Sequence, residues 1–139
     1  MDLQLQGKHV LITGGSKGIG LACARGFLEE GASVTLVARN ASTLDTARSS
    51  LIAAFPSAVA RIGVVSADLK DPVAAVAAID QAEQKLGAVH ILVNSAGAAR
   101  RTPPDELTPQ HWRDAMDAKY FTYGNVIDPL IKRMASRGA

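Results

Sequence analysis

The stretch His9-Val-Leu-Ile-Thr-Gly-Gly-Ser-Lys-Gly-Ile-Gly20 decides the fold. The apolar run Val10-Leu11-Ile12 ends in Thr13, and glycines follow at 14, 15, 18 and 20. An amphipathic stretch begins at Ile19 and continues to Glu30. Strand, tight glycine turn and helix start therefore come in immediate succession. Such a turn lets main chain approach a diphosphate, and the free N–H groups and dipole at the helix start favour its negative charge. A glycine cluster alone would be weak evidence. This one has the flanking strand and helix that a dinucleotide site requires.

Working outward, apolar runs and helical patterns alternate. Strands are expected over 9–13, 33–38, 60–66 and 89–94. Helices are expected over 18–30, stopped by Gly31, and over 41–54, closed before Pro56. A third runs over 72–86, with Pro72 in its first turn, where a missing N–H costs nothing. Residues 98–107 read as a loop carrying Arg100, Arg101, Pro103 and Pro104. One last helix should then open at Thr108 or Pro109 and run to about Ser136. Four βα units predict an α/β fold of the Rossmann type, a doubly wound parallel sheet in the order 3-2-1-4. The switch point lies between strands one and four, beside the glycine turn and Asn94–Gly97.

Composition narrows the class. The chain has 139 residues, enough for one domain over 1–139 with a core of its own. Apolar residues make up 47%, which argues for a globular chain. The net charge of +2 arises from interspersed signs, giving no support for nucleic acid or an anionic membrane as partner. No apolar stretch approaches a membrane span and no signal-peptide pattern is present, so the expected location is cytoplasmic. Cys23 is the single cysteine and reads as a packing residue. His9, His90 and His111 have no spaced carboxylate or cysteine partners, so they read as structural and no metal is expected.

The spacing Gly14-x-x-x-Gly18-x-Gly20 resembles the Thr-Gly-x-x-x-Gly-x-Gly signature of the short-chain dehydrogenase/reductase family. Asn94-Ser-Ala-Gly97, behind Val89-His-Ile-Leu-Val93, is similar to that family's Asn-Asn-Ala-Gly motif, with Ser95 in second position. Asp68-Leu69, after the third apolar run, looks like its adenine-contacting pair. The resemblance implies a nicotinamide dinucleotide bound at Gly14, Ser16, Lys17, Gly18, Ile19 and Gly20, where Gly14 permits the turn, Gly18 lets the diphosphate approach and Gly20 lets the helix pack close to the sheet, and at Asp68 and Leu69, which meet the adenine. It implies that Asn94 braces the central strands and that Ala96 and Gly97 lie near the ribose. Asp68 also reads as a turn or helix-capping residue ahead of Pro72.

Cofactor choice is legible at the second strand's end. An acid about twenty residues past the glycines holds a ribose 2′-hydroxyl, whereas an arginine accommodates a 2′-phosphate. Here the strand ends Val37-Ala38-Arg39-Asn40. Arg39 offers a charged fork, Lys17 a second cation and Ser16 a hydroxyl, so NADP is expected over NAD. An S-adenosylmethionine site would want an acid where Arg39 stands. A P-loop fails because Lys17 precedes its glycine.

The family's catalytic machinery is a Tyr-x-x-x-Lys pair with an upstream serine. Here Gly124 and Ile127 stand four residues after Tyr120 and Tyr123, and no such pair exists in the sequence. The resemblance also puts an asparagine of a proton relay seven residues after Trp112, where this chain has Lys119. It reads either as the relay position or as a solvated helix lysine. The expected protein is therefore an NADP-dependent oxidoreductase acting on a small ketone or secondary alcohol, represented here by a fold truncated before its catalytic half and inactive by itself. A non-catalytic NADP-binding module, or a subunit of a split enzyme, is the alternative. Trp112, Met116, Tyr120, Tyr123, Ile127, Leu130, Ile131 and Met134 recur at helical spacing. With an unpaired fourth strand, they lead to the expectation of a homo-oligomer.

Overall fold

A computed structural model describes residues 1–97 and 100–138. Its sheet has strands β1 (His9–Thr13), β2 (Ser33–Ala38), β3 (Ile62–Ser66) and β4 (Ile91–Asn94) in the order β3-β2-β1-β4. All three pairings are parallel, with Val10 opposite Val34 and Ile91, and Val34 opposite Ile62. This is the expected doubly wound Rossmann-type sheet.

Strand alternation sorts the core into two layers. Val10, Ile12, Val34 and Leu36 face α1 (Gly18–Glu29) and α2 (Ala41–Ala54), meeting Ala24, Leu28, Leu44 and Leu51. Leu11, Val37 and Val65 face the other way. There they meet α3 (Pro72–Leu86) through Ala75, Ile79 and Ala82, and a late helix through Val126 and Leu130. Both faces of β1 and β2 are covered, so their sequences are apolar runs without a polar face.

Three boundaries differ from expectation by more than one residue. Residues 56–61 form a 3₁₀ turn (Pro56–Arg61), so β3 starts two residues late. Arg48 donates to the Val59 and Ile62 carbonyls and holds that turn against α2. β4 begins at Ile91 because His90 is engaged as a side chain, its Nδ1 accepting from the His9 N–H at 2.9 Å. The single last helix is instead α4 (Pro109–Met116), a π-helical turn (Asp117–Phe121) and α5 (Thr122–Ser136). The Thr122 hydroxyl donates to the Asp117 carbonyl at 2.7 Å across that turn. Ala98 and Ala99 of the expected loop lie outside the described residues; Pro104–Glu106 of it is a 3₁₀ turn.

The eight-residue apolar stripe also divides. Leu130 is buried and Met134 packs on the α3 layer, whereas Trp112, Met116, Tyr120, Ile127 and Ile131 are exposed. Arg133 joins α5 to α3 through Asp80 at 2.6 Å and Glu83 at 3.4 Å, and Arg137 also reaches Glu83. β4 pairs with β1 alone, and all four of its residues are only half-buried. Among the described residues no helix is long and apolar enough to cross a membrane.

His9 and His90 bond to each other at the start of β1, and His111 completes the capping box of α4. His9 is buried, with Nδ1 donating to the Gly87 carbonyl at 2.8 Å and Nε2 at 2.7 Å from the Thr35 hydroxyl. Because a carbonyl only accepts, the neutral ring carries its proton on Nδ1 and takes the Thr35 proton at Nε2. Burial holds the His9 pKa below the ordinary range; the Gly87 bond opposes this, the nearby His90 adds to it, and Glu83 opposes it. The unfolded chain thus takes up this proton at higher pH than the folded one. The stability is present above about 6.5 and is lost as pH falls through the folded value. Denaturant melts at pH 7.5 and pH 5 should show a larger loss for the wild type than for His9→Asn; equal losses would contradict the assignment.

Two glycines of α1 give a paired test. A Cβ on Gly20 would stand 2.2 Å from the Gly14 carbonyl oxygen, whereas one on Gly26 meets nothing within 4 Å. Gly20→Ala should cost about 1–3 kcal/mol by overpacking the turn. Gly26→Ala should gain roughly 0.5–1 kcal/mol from helix propensity. Thermal melts that rank the variants the other way would refute the packing.

Candidate functional site

The chain leaves β1 through Gly14, whose φ of +65° is the left-handed region that suits glycine. A Cβ there would sit 2.6 Å from the Ser95 carbonyl oxygen, so the turns after β1 and β4 touch through main chain. The Gly14 N–H donates to the Val37 carbonyl at 2.8 Å, which ties the same turn to β2. Gly20 packs onto the main chain of Gly14 and Gly15, just past the end of β1.

Helix α1 starts without a side-chain cap. Lys17 is its N-cap in extended conformation and makes no capping bond. By contrast α2, α3 and α4 are capped by the side chains of Asn40, Asp71 and Thr108. The first-turn amides of α1 have no intrahelical partner, and no side chain takes their place. Ser16, Lys17, Gly18 and Ile19 border an open cavity of about 550 Å³, and Ile19 is 77% exposed.

At one end of the cavity stand Ala38, Arg39, Asn40 and Thr43, with Asp68, Leu69 and Lys70 opposite. No acid follows β2: Ala38 closes it and Arg39 comes next. Among the described residues Arg39 and Lys17 make no ion pair. Asp68 forms a turn, its Oδ1 accepting from the Lys70 N–H at 3.1 Å, while the cap of α3 falls to Asp71. Leu69 borders the cavity, although its side chain is in the core. Asn125 of α5 clamps this turn, donating to the Leu69 and Lys70 carbonyls at 2.9 and 3.2 Å.

The other end lies past β4. The Thr13 hydroxyl donates to Asn94 Oδ1 at 3.0 Å and accepts from the Ser95 and Ala96 N–H groups at 3.2 Å each. Asn94 thus joins β4 to β1, as a brace would. Ser95, Ala96, Gly97, Ala118 and Thr122 complete the lining. Gly97 has φ +134°, and a Cβ there would meet Lys119 Cδ at 2.9 Å and the Ala118 carbonyl at 3.1 Å. Lys119 Nζ lies 5.5 Å from the Tyr123 ring centroid.

Most residues singled out in the sequence meet in this one cavity. Gly20, Asn94 and Lys119 do not border it; they support its walls or rim. The sequence reading missed Asn40, Thr43, Lys70, Ala118 and Thr122 in the lining, the Thr13 hub and the Asn125 clamp. Asn40 carried a local signal as an N-cap ahead of Ser42 and Thr43. Uncapped amides, a main-chain turn closed to any Cβ and two cations with no carboxylate partner make a donor-rich surface suited to phosphates. Among the described residues no group of three metal-ligating side chains occurs.

The family model for short chain dehydrogenase matches residues 8–139. Gluconate 5-dehydrogenase of Gluconobacter oxydans is 34% identical, with 96% of this chain and 51% of that protein aligned. The NADP-dependent (R)-specific alcohol dehydrogenase of Lentilactobacillus kefiri is also 34% identical, over 99% of this chain and 53% of its own. Among solved structures, L-sorbose reductase of Gluconobacter frateurii, complexed with NADPH and L-sorbose, has a TM-score of 0.88 at 34% identity. It aligns with 99% of this chain over 51% of that one. An NADPH-bound short chain oxidoreductase of Pseudomonas aeruginosa, with an atypical catalytic center, has a TM-score of 0.86 at 33% identity over 93% and 49% of the two chains. The chain therefore spans about half the length of the relatives it matches. With its parallel sheet, its glycine turn and its match over nearly the whole sequence, this chain belongs to the short-chain dehydrogenase family.

Proposed function

We propose that this chain forms the NADP(H)-binding part of an oxidoreductase that moves hydride between NADP(H) and a small ketone or secondary alcohol. The observation that carries the reading is the β2 end. Ala38 stands where an acid would hold the ribose 2′-hydroxyl, and the adjacent Arg39 shares the cavity with Lys17 and Thr43. The guanidinium and ammonium would hold the 2′-phosphate. The uncapped amides of α1 would take the diphosphate, and the Asp68 carboxylate the adenine amine. Bound NADPH supplies the hydride; these residues bind and orient it. That two similar solved proteins carry NADPH supports the choice.

The expected result is tighter binding of NADP(H) than of NAD(H) in calorimetric titrations. Arg39→Ala should remove about tenfold of that preference, the low end for a charge-assisted bond because the side chain is exposed. Equal affinities in the wild type would overturn the reading.

A second reading, a non-catalytic NADP-binding module, is favoured by one observation: Tyr120 is 65% exposed and does not border the cavity. Under both readings the 139-residue chain binds cofactor without turnover, since a missing general acid removes about 100- to 10,000-fold. NADPH consumption with a panel of ketones should stay at background. Turnover abolished by Tyr120→Phe or Tyr123→Phe would show instead that a helix tyrosine supplies the proton.

A further inference from the structure

The cavity is electrostatically two-ended. Lys17, Arg39 and Lys70, with one carboxylate, Asp68, border it around the ends of β2 and β3 and the glycine turn. Among the described residues, the far end, past β4, has no charged lining residue. Lys119 lies just behind that end: its stem crosses the face of Gly97, and its neighbours Ala118 and Thr122 form the wall. It belongs to the π-helical turn Asp117–Phe121, a departure from α-helical geometry often found at functional sites. Its ammonium makes no ion pair among the described residues, and the Tyr123 ring lies beneath it at 5.5 Å. An aromatic face holds a cation without neutralising it.

A dinucleotide whose 2′-phosphate meets Arg39 and whose diphosphate meets the glycine turn has one direction left, toward Gly97. Its nicotinamide half is the part that changes charge in the reaction. The oxidised ring is a cation and the reduced ring is neutral, whereas the adenosine half is the same in both. Lys17, Arg39 and Lys70 therefore cannot distinguish the two forms, and a fixed positive charge at the β4 end can.

Resting on the NADP(H) reading above, we propose that Lys119 is a specificity-determining residue that makes the site favour NADPH over NADP⁺ by charge repulsion of the oxidised ring. A chain so built retains the reduced cofactor and releases the oxidised one. Neither the glycine motif nor the β2 end carries this information.

The test is equilibrium titration of the 139-residue chain with NADPH, NADP⁺ and 2′,5′-ADP, which lacks the nicotinamide half. Wild type should bind NADPH more tightly than NADP⁺. Lys119→Met should shrink that ratio by about threefold to tenfold, the range for two unit charges within a Debye length near a protein surface. It should leave 2′,5′-ADP affinity and the thermal melt unchanged, because Lys119 is exposed and stands by Gly97 past β4, with β1 between it and the β2 end that carries Arg39. Lys119→Arg should keep the ratio, and added salt should compress it in wild type more than in Lys119→Met. An unchanged ratio in Lys119→Met overturns the inference while leaving the NADP(H) reading intact. An equal loss of 2′,5′-ADP affinity also overturns it, since the lysine would then act on the adenosine half. If wild type binds none of the three ligands, the NADP(H) reading fails and the inference falls with it.

Discussion

The Thr13 hydroxyl is the joint on which the site depends. It closes β1 and at once donates to Asn94 Oδ1 and accepts from the Ser95 and Ala96 amides. Those bonds pull the turn after β4 so close to Gly14 that no Cβ fits between them. Each bond contributes little to net stability, about 1 kcal/mol or less, but leaving such buried groups unpaired costs more. One small polar side chain at the end of a buried strand thus fixes the separation of the two central βα turns. The cavity is the space that separation leaves above the sheet.

Layering was legible because it follows from local pattern. Val10, Ile12, Val34 and Leu36 alternate with Leu11, Thr35 and Val37 at a period of two, and buried parallel strands need apolar residues on both faces. Strand order followed from crossover handedness and the glycine turn. The boundaries went astray where a side chain claimed main-chain partners. Arg48 did so at the Pro56–Arg61 turn, and His90 did so ahead of β4. The π-helical turn has no periodic signature: Trp112, Met116 and Tyr120 keep a four-residue spacing across it. Only the Thr122 hydroxyl, bonded to Asp117, marks its place.

The site divides in the same way. The glycines, Arg39 and Asp68 could be picked out because each role is set within a few residues of a strand end. Asn125 could not. It clamps carbonyls 55 and 56 positions earlier in the chain, and nothing near it in sequence distinguishes it from a surface asparagine. The Thr13 hub joins residues more than 80 positions apart. Lys119 read equally as a relay position or a solvated helix lysine, and its stem meets Gly97 only in the folded chain. Sequence patterns report what short segments need, and those contacts exist only once the segments have met.

The uncapped start of α1 carries an evolutionary consequence. Donors made of peptide N–H groups are present whatever side chains surround them, so no replacement short of proline deletes one. Anion affinity in this turn is therefore stored in backbone shape, guarded by Gly14 and Gly20, where added carbon would deform it. Ser16, Lys17 and Ile19 ride on that frame as exchangeable parts. A lineage could retune which phosphate-bearing ligand it prefers by altering such side chains, or Arg39, without ever losing the capacity to hold a phosphate.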